Sequence, residues 1–274
     1  MIIEDFPLVS VVLPTYNSGR FLKLAVESIL NQSYRNLELI VVDDASEDNT
    51  WSNLVNYVTV DSRVRIFRNK KNLGIAKTRN VGLRQALGQY YAVMDHDDVS
   101  LPNRLSREVE FLNRNPEYAA VGCQVQIINS LGQVIKVRRY PTSATEIRKT
   151  LGIKSPICNP AALLRLSCVK EFDLYDERYP GCEDYDLWFK LANKYKLTNL
   201  DEFLFQYRLS DAQVKSKKAK RILLHTLQIK RGWIFKNNFF NAKTVLVYFL
   251  DFLLLLIPEK IILFLFQATT YEKK

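Results

Sequence analysis

The apolar positions of the first hundred residues alternate between short continuous runs and helical stripes. Four short apolar runs predict strands, at Leu8–Leu13, Leu37–Val42, Val64–Arg68 and Tyr90–Met94, and the first two have the pattern of buried strands. The helical stripes lie between these runs and predict helices over Phe21–Asn31, Trp51–Tyr57 and Ile75–Leu87. Strand and helix therefore alternate, which favours an α/β protein with a doubly wound, mostly parallel sheet.

Polar clusters follow the predicted strands at the point where each strand ends. The carboxyl ends of parallel strands share one edge of the sheet, and ligands bind there in the crevice where the strand order reverses. Two of these clusters are acidic, Asp43-Asp44 and Asp95-His96-Asp97-Asp98. The sequence thus predicts a functional site at this edge.

The middle of the chain is less regular. Two apolar segments around a polar turn predict a β-hairpin with an exposed edge, formed by Tyr118–Asn129 and Val134–Tyr140. The remaining predicted elements are a helix at Arg104–Asn113, a strand at Ala161–Leu166, a helix at Glu183–Tyr195 and a final strand at Leu204–Leu209.

The charge divides the 274-residue chain into two parts. The net charge of +10 invites a nucleic-acid interpretation, but residues 1–211 carry 27 basic and 26 acidic side chains, whereas residues 212–274 carry 12 and 3. A hydrophobic content of 47% with 25% charged residues excludes a disordered chain, a collagen and a disulfide-stapled mini-protein. We therefore predict one nearly neutral domain, 1–211, and a basic C-terminal segment, 212–274.

The C-terminal segment combines basic and apolar stretches. Residues 212–236 contain no acid, and Val245–Ile257 is an apolar run interrupted only by Asp251. As a helix this run spans about 20 Å, short of the ~30 Å hydrocarbon core. We expect interfacial or re-entrant helices beside an anionic membrane surface. The alternative is a helix pair packed on the catalytic domain or on a second subunit. Nucleic-acid binding is not expected, because aromatic residues do not interleave with the lysines.

The cysteines and the N-terminus bear on the compartment. The four cysteines are widely scattered, which is typical of a reducing compartment: Cys123, Cys158, Cys168 and Cys182. The first residues lack a basic stretch followed by an apolar run, so no signal peptide is predicted. A zinc site is not expected, because neither His96 nor His225 falls at ligand spacing. We expect a cytoplasmic protein.

The cluster Asp95-His96-Asp97-Asp98 is the sharpest local feature. Crowded carboxylates cost free energy unless a cation or hydrogen-bond donors offset their repulsion. Mg²⁺ and Mn²⁺ take oxygen ligands, usually one or two carboxylates plus substrate phosphates. The cluster therefore indicates a divalent-cation site, with an ordinary acidic loop that caps the following helix as the alternative.

Two other acidic clusters allow two interpretations each. Asp43-Asp44 either accepts hydrogen bonds from a nucleoside or caps the next helix. The run Glu183-Asp184-Tyr185-Asp186 begins a predicted helix, where acids are favoured by the helix dipole. A functional role would require one of its carboxylates to face the crevice as a general base.

Five segments in this order resemble the family 2 glycosyltransferases. They are Val9–Asn17, Leu39–Ser46, the pair Asn72–Gly74 with Thr78–Gly82, Asp95–Asp98 and Glu183–Trp188. The resemblance extends over roughly residues 8–211. It implies the GT-A fold, a doubly wound mixed α/β sheet flanked by helices, here followed by a C-terminal apolar helical tail. It also implies an inverting transferase that uses a nucleotide-diphospho-sugar, with a UDP-sugar as the favoured donor.

The same resemblance assigns roles to individual residues. Thr15, Tyr16 and Asp44 would hold the nucleoside, with Asp44 at the base. Arg79 would lie near the nucleotide and its diphosphate, which suits a permanently charged guanidinium.

The carboxylates would carry the chemistry. Asp95 and Asp97 match the D-x-D motif that binds Mg²⁺ or Mn²⁺ and the diphosphate, while Asp98 has a less defined role. Asp184 matches the base that deprotonates the acceptor hydroxyl, and Glu183 would orient the acceptor or its loop. The reaction would be a single in-line displacement, which needs no nucleophilic side chain.

The chain departs from the family at one position. Many relatives place a histidine shortly after a Tyr-Arg pair, whereas this chain has Ser210 after Tyr207-Arg208-Leu209. Either Asp211 substitutes for that histidine, or the cation has fewer protein ligands, or the dependence on metal is weaker.

The sequence as a whole predicts a membrane-associated inverting glycosyltransferase at the cytosolic face. Its acceptor would be a hydroxyl of a glycan or a lipid-linked sugar. The alternative is a non-catalytic nucleotide-sugar-binding or scaffold protein, which would have no need of all four acids Asp44, Asp95, Asp97 and Asp184.

Overall fold

Four apolar segments form the parallel part of one sheet in the computed structural model. They are β1 (Val9–Thr15), β2 (Leu37–Asp43), β3 (Val64–Arg68) and β4 (Tyr90–Val93). β1 pairs in parallel with both β2 and β4, and β3 lies outside β2. The order is therefore β4-β1-β2-β3. Strands β2 and β3 are added on one side of β1 and β4 on the other, so the strand order reverses between β1 and β4. This confirms the predicted doubly wound sheet and its crevice.

The structure describes residues 6–209, 219–234, 239, 241–259, 261–262 and 272–273. Helices connect the parallel strands: α1 (Leu22–Leu30), α2 (Thr50–Val60) and α3 (Ile75–Gln85). α1 follows a short 3₁₀ turn at Gly19–Phe21. Each predicted helix of this half is present within a few residues of its predicted bounds.

The second half of the sheet is mixed and contains both antiparallel and parallel strand pairs. Its elements are β5 (Val99–Ser100), α4 (Arg104–Arg114), β6 (Tyr118–Ile128), β7 (Val134–Arg138), α5 (Ala144–Leu151), β8 (Leu163–Arg165), α6 (Leu166–Glu171), α7 (Glu183–Lys194) and β9 (Lys196–Arg208). β8 joins β4 to β6 and is antiparallel to both, whereas β9 runs parallel to β6 along nearly its whole length. The predicted β6–β7 hairpin is confirmed. At its outer side β7 pairs with β10 (Glu272–Lys273).

Alternate residues of the central strands supply two hydrophobic cores. Val11 of β1 and Val41 of β2 face the core that contains α1 and α4, whereas Val12 and Ile40 face the core that contains α3 and α7. Helices cover both faces of this sheet, so every residue of β1 and β2 is buried. That burial explains why these strands read as continuous apolar runs.

Two expectations about the middle of the chain were wrong, and one helix was missed. β9 is thirteen residues long, whereas the predicted strand Leu204–Leu209 was short. The predicted strand Ala161–Leu166 is divided into a 3₁₀ turn at Asn159–Ala161, the three-residue β8 and the start of α6. Helix α5 was not predicted. β9 borders the polar crevice and therefore mixes polar and apolar residues. A search for apolar periodicity does not detect such a strand.

The described residues of the C-terminal segment include the helices α8 (Ala219–Ile234) and α9 (Ala242–Leu254). Lys230 of α8 lies buried between them, and its Nζ donates to Asp251 Oδ2 at 2.6 Å and to Ile153 O at 2.8 Å. In the part of the chain that the structure describes, no helix has both the length and the apolar character needed to cross a membrane.

Candidate active site

The crevice at the carboxyl edge begins at the ends of β1 and β2. Thr15 is buried at the end of β1, and its carbonyl oxygen accepts a hydrogen bond from Asp44 N at 2.8 Å. Tyr16, one residue further, is 42% exposed. An exposed aromatic ring beside a backbone fixed by two strands can stack against a planar ligand.

Asp43 at the end of β2 and Asp44 directly after it hold two different loops. Asp43 is fully buried, accepts from the Ser46 hydroxyl and backbone N–H, and pairs with Arg68 Nε at 2.9 Å. These contacts hold the loop that follows β2.

Asp44 organises the loop that precedes α3. Its carboxylate accepts from Asn69 Nδ2 at 2.7 Å, from Leu73 N at 2.8 Å and from Gly74 N at 2.9 Å. Gly74 has a φ of +86°, a conformation that favours glycine. The segment Asn72–Gly74 is thus held against the end of β2. The predicted contact of Asp44 with a base stays a prediction.

Arg79 connects the two acidic clusters that the sequence separates. From the middle of α3, its Nη2 donates to Asp95 Oδ1 at 2.6 Å and its Nη1 to Glu183 Oε1 at 2.8 Å. Burial would lower the pKa of this guanidinium, but Asp95 and Glu183 outweigh it and hold the pKa well above its usual value. Removing Arg79 would leave the buried carboxylate of Glu183 without its cation, at a cost of about 3–5 kcal/mol.

The turn after β4 presents its acids at different depths. Asp95 and Asp97 are half-buried, whereas Asp98 is buried. Asp98 Oδ1 accepts from Arg208 N at 2.8 Å, and Asp97 O accepts from Arg208 Nε at 2.7 Å. This ties the turn to the end of β9. Burial, followed by the charges of Asp97 and Asp95, raises the pKa of Asp98 well above its usual value.

The residues of this turn fit a divalent cation. Mg²⁺ typically uses one or two carboxylates plus substrate phosphates, and the turn supplies such hard oxygen donors at the cavity wall. Asp98 Oδ2 is buried and has no hydrogen-bond partner among the described residues. Within residues 6–209 and the described parts of the tail, no three Asp, Glu, His or Cys side chains converge as a complete metal cage. Ser210, which stands where many relatives have a histidine, and Asp211, which was expected as its possible substitute, lie outside the described residues.

Helix α7 begins with the two acids assigned to the acceptor side. Glu183 is buried, and its Oε2 accepts from Gly181 N at 2.6 Å, where Gly181 has a φ of +86°. Asp184 Oδ1 accepts from Tyr185 N at 2.8 Å. Burial, and then the negative charge of Glu183, raises the pKa of Asp184 to about 7. A carboxylate with this pKa can accept a proton near neutral pH.

A cavity of about 330 Å³ lies between these groups. Of the eight residues predicted for the site, four line it: Arg79, Asp95, Glu183 and Asp184. The other four do not: Thr15, Tyr16, Asp44 and Asp97. The first group lines one open cavity, whereas Thr15, Tyr16 and Asp44 lie together at the ends of β1 and β2.

Several cavity residues were missed by the sequence interpretation. They are the polar or aromatic residues Arg138, Tyr140, Ser155, Asn159 and Tyr207. Arg138 ends β7 and Ser155 follows α5, and neither position belongs to a motif of the sequence. Tyr207 was noted only as the neighbour of Arg208. Asn159, in a Cys-Asn-Pro sequence with no catalytic spacing, offered no signal.

The C-terminal helices reach the catalytic helix α7. The Trp233 ring of α8 stacks on Phe189, with centroids 5.8 Å apart, and Trp233 Nε1 donates to Asp186 Oδ1 at 3.2 Å. The Cys182 thiol, next to Glu183, lies 3.4 Å from Ile222 O. One face of α8 therefore supports the N-terminal turn of α7 that carries Glu183 and Asp184.

The sequence and fold were compared with known proteins. The family model described as Glycosyl transferase family 2 matches residues 10–172. An uncharacterized glycosyltransferase of Haemophilus influenzae is 34% identical over 222 residues, which cover 78% of this chain and 69% of that protein. The chain therefore belongs to glycosyl transferase family 2, and it is a glycosyltransferase.

Two solved structures share the fold. S. aureus TarS 1–349 in complex with UDP-GlcNAc gives a TM-score of 0.69 at 19% identity, covering 88% of this chain and 70% of that one. The mannosyltransferase PcManGT from Pyrobaculum calidifontis, in complex with GDP-Man and Mn²⁺, gives 0.63 at 21% identity, covering 81% and 63%. The predicted GT-A architecture is confirmed by these matches.

Proposed function

We propose that this enzyme transfers a sugar from a nucleotide-diphospho-sugar to a hydroxyl of a glycan or a lipid-linked acceptor, with inversion at the anomeric carbon. The observation that carries the proposal is the open cavity that is lined both by Asp184 and by the Arg79–Asp95 pair. A transferred sugar in this cavity would have a base on one side and the residues suited to a diphosphate on the other.

The donor is a nucleotide-diphospho-sugar, and we favour a UDP-sugar. The relatives of known structure were solved with UDP-GlcNAc and with GDP-Man, so the fold accommodates both nucleotides. Tyr16 would stack on the base, and Thr15 and Asp44 would hold the nucleoside at the ends of β1 and β2. Arg79, whose pKa is held well above its usual value by Asp95 and Glu183, would face the diphosphate.

In the proposed reaction, Asp184 removes the proton from the attacking hydroxyl. The acceptor oxygen forms a bond to the anomeric carbon as the bond between that carbon and the phosphate oxygen breaks, and the nucleoside diphosphate leaves with the electron pair. Asp184 ends the step protonated, which a pKa of about 7 permits near neutral pH. Glu183, fixed by Gly181 and Arg79, would keep the base and its loop in place.

Asp95 and Asp97 would hold Mg²⁺ or Mn²⁺. When bound, such a cation neutralises negative charge that develops on a departing diphosphate. The buried Asp98 would support the turn from behind through Arg208. The acids of this turn and the Mn²⁺ in the related mannosyltransferase structure support this assignment.

A donor panel tests the proposed activity. The protein is mixed with UDP-Glc, UDP-Gal, UDP-GlcNAc or GDP-Man and Mg²⁺ or Mn²⁺, and the released nucleoside diphosphate is measured with and without glycan or lipid-linked acceptors. We expect one donor to be consumed well above the others. Absence of turnover with any donor, together with absence of nucleotide binding, would contradict the proposal.

We further propose that α9 rests on the cytosolic face of an anionic membrane, near a lipid-linked acceptor. Its outer face exposes a stripe of large apolar side chains: Leu246, Phe249, Leu250, Phe252, Leu253 and, just beyond the helix, Leu256. Residues 212–236 contain eight lysines and arginines and no acid, and the seven other than the buried Lys230 would provide the complementary charge. The opposite face includes Thr244, which is buried against Gly152.

Vesicle sedimentation tests this surface with full-length variants. Phe249→Ser with Leu253→Ser should release the protein from vesicles that contain an anionic lipid. The matched control, Val55→Ser with Val58→Ser, removes similarly exposed apolar side chains from α2 and should not. Equal sedimentation of both variants would contradict a membrane role for α9.

A further inference from the structure

Asn159 is a buried polar residue of the cavity to which no role has yet been given. It opens the 3₁₀ turn Asn159–Ala161, is 6% exposed and lines the cavity together with Arg79, Asp95 and Asp184. Its Nδ2 is buried without a hydrogen-bond partner among the described residues. An unpaired buried donor costs about 1–3 kcal/mol, so its presence in a native site calls for an explanation.

The orientation of this amide is set by a buried chain of hydrogen bonds. Asn159 Oδ1 accepts from the Tyr175 hydroxyl at 3.2 Å, and the Tyr175 and Tyr91 hydroxyls are 3.2 Å apart. Tyr175 is anchored by Asn80, whose Oδ1 accepts from Tyr175 N at 3.0 Å and whose Nδ2 donates to Tyr175 O at 2.9 Å. The carbonyl end of Asn159 is therefore engaged with protein, whereas Nδ2 has no protein partner among the described residues.

The neighbours of Asn159 define what this donor can bind. The acids Asp95, Glu183 and Asp184 line the same cavity, as does Arg79, whose Nη1 and Nη2 donate to Glu183 and Asp95. The other polar or aromatic lining residues are Arg138, Tyr140, Ser155 and Tyr207. A neutral N–H near three carboxylates suits a neutral oxygen, such as a hydroxyl or an N-acetyl carbonyl, better than an anion. The transferred sugar carries such oxygens between the Asp95 side and the Asp184 side.

We propose that Asn159 donates a hydrogen bond from Nδ2 to an oxygen of the transferred sugar and thereby contributes to the choice of donor. This inference rests on the proposed function. A site built to bond a particular oxygen rejects an analogue that lacks it, because its own polar group is then left unpaired. Asn159 is accordingly a specificity residue, whereas Tyr175 is a positioning residue.

Calorimetric titration of the full-length protein tests the inference without an acceptor. The dissociation constants of the preferred nucleotide-sugar and of its analogues, each lacking one hydroxyl or the N-acetyl group, are measured for the wild type, Asn159→Ala and Asn159→Asp. Asn159→Asp keeps the size of the side chain and an acceptor for Tyr175. The wild type should bind one analogue about 10-fold to 100-fold more weakly than the parent sugar, and both variants should lose that discrimination at this one position.

The remaining outcomes separate the alternatives. Unchanged discrimination at every position in both variants overturns the inference and leaves the proposed function standing. A loss of discrimination only among deoxy acceptors, in transfer assays, also overturns it, because Asn159 would then face the acceptor. A wild type that binds none of the nucleotide-sugars overturns the proposed function and this inference with it. Tyr175→Phe, which frees the amide to rotate, should weaken the discrimination only in part.

Discussion

Two acidic segments follow neighbouring parts of the same sheet edge and differ in their surroundings. Asp43 and Asp44, after β2, accept hydrogen bonds from serine, asparagine, arginine and backbone groups of their own loops. Asp98, after β4, keeps a buried oxygen without a partner among the described residues, and burial raises the pKa of Asp97. The carboxylates of the first segment have hydrogen-bond or ion-pair partners in the protein, whereas the second segment contains a buried carboxylate oxygen, Asp98 Oδ2, with none among the described residues.

Asp184 resembles the second segment. Its pKa of about 7 arises from burial and from the neighbouring charge of Glu183. Carboxylates whose charge is incompletely compensated are suited to take up a proton or a cation, whereas compensated ones hold structure. Acids in similar positions after strands therefore divide into two groups. Those with hydrogen-bond or ion-pair partners hold loops, and those that are buried without full compensation are suited to reaction.

The largest expected effect is the loss of activity in Asp184→Asn. Removing the base should lower kcat by about 10³-fold while the melting temperature stays near that of the wild type. Release of nucleoside diphosphate and calorimetric unfolding measure the two quantities. Asp173→Asn is a suitable control, because Asp173 has a φ of +58° that asparagine tolerates and it lies outside the cavity. Transfer by Asp184→Asn at the wild-type rate would falsify the assignment of the base.

Removal of divalent cations should have the next largest effect. Chelation with EDTA should lower turnover by about 100-fold, because the charge on the leaving diphosphate would no longer be neutralised, and added Mg²⁺ or Mn²⁺ should restore it. Asp97→Asn should require a higher cation concentration for the same rate. Turnover that is indifferent to EDTA would speak against Asp95 and Asp97 as ligands.

Asp44→Asn should act mainly on stability. The substitution turns part of an acceptor into an N–H donor that faces the backbone N–H groups of Leu73 and Gly74, and should cost about 1–3 kcal/mol in the free energy of unfolding. Urea denaturation measures this, and the apparent KM for the donor should rise as the loop loosens. An unchanged unfolding midpoint would show that these hydrogen bonds do not stabilise the loop.

The pH dependence of transfer should report the ionisation of Asp184. A base acts when it is unprotonated, so kcat/KM should rise with pH through about 7 and then level off, with a loss of about tenfold for each unit below. In Glu183→Gln the acidic limb should move to lower pH, because a negative charge that raises the pKa of Asp184 is removed. An acidic limb at the same pH in both proteins would contradict this coupling.

The sequence alone determined the parallel half of the sheet and the residues of the motifs. β1, β2 and β4 are buried on both faces, so each produces an apolar run of strand length, and the polar residues that follow them mark the carboxyl edge of the sheet. The concentration of positive charge in residues 212–274 was equally legible, because charge is a property of composition.

Only the tertiary structure decided which of those residues work together. Arg79 and Glu183 are 104 positions apart, and nothing in the spacing of either segment indicates that one guanidinium joins Asp95 to Glu183. The same holds for Asn159 and Tyr175, whose surroundings give no motif, and for Trp233, which supports α7 from the C-terminal segment. Periodicity reports the faces of one element, whereas the cavity is formed by contacts between distant elements. The physical state of each acid depends on those contacts.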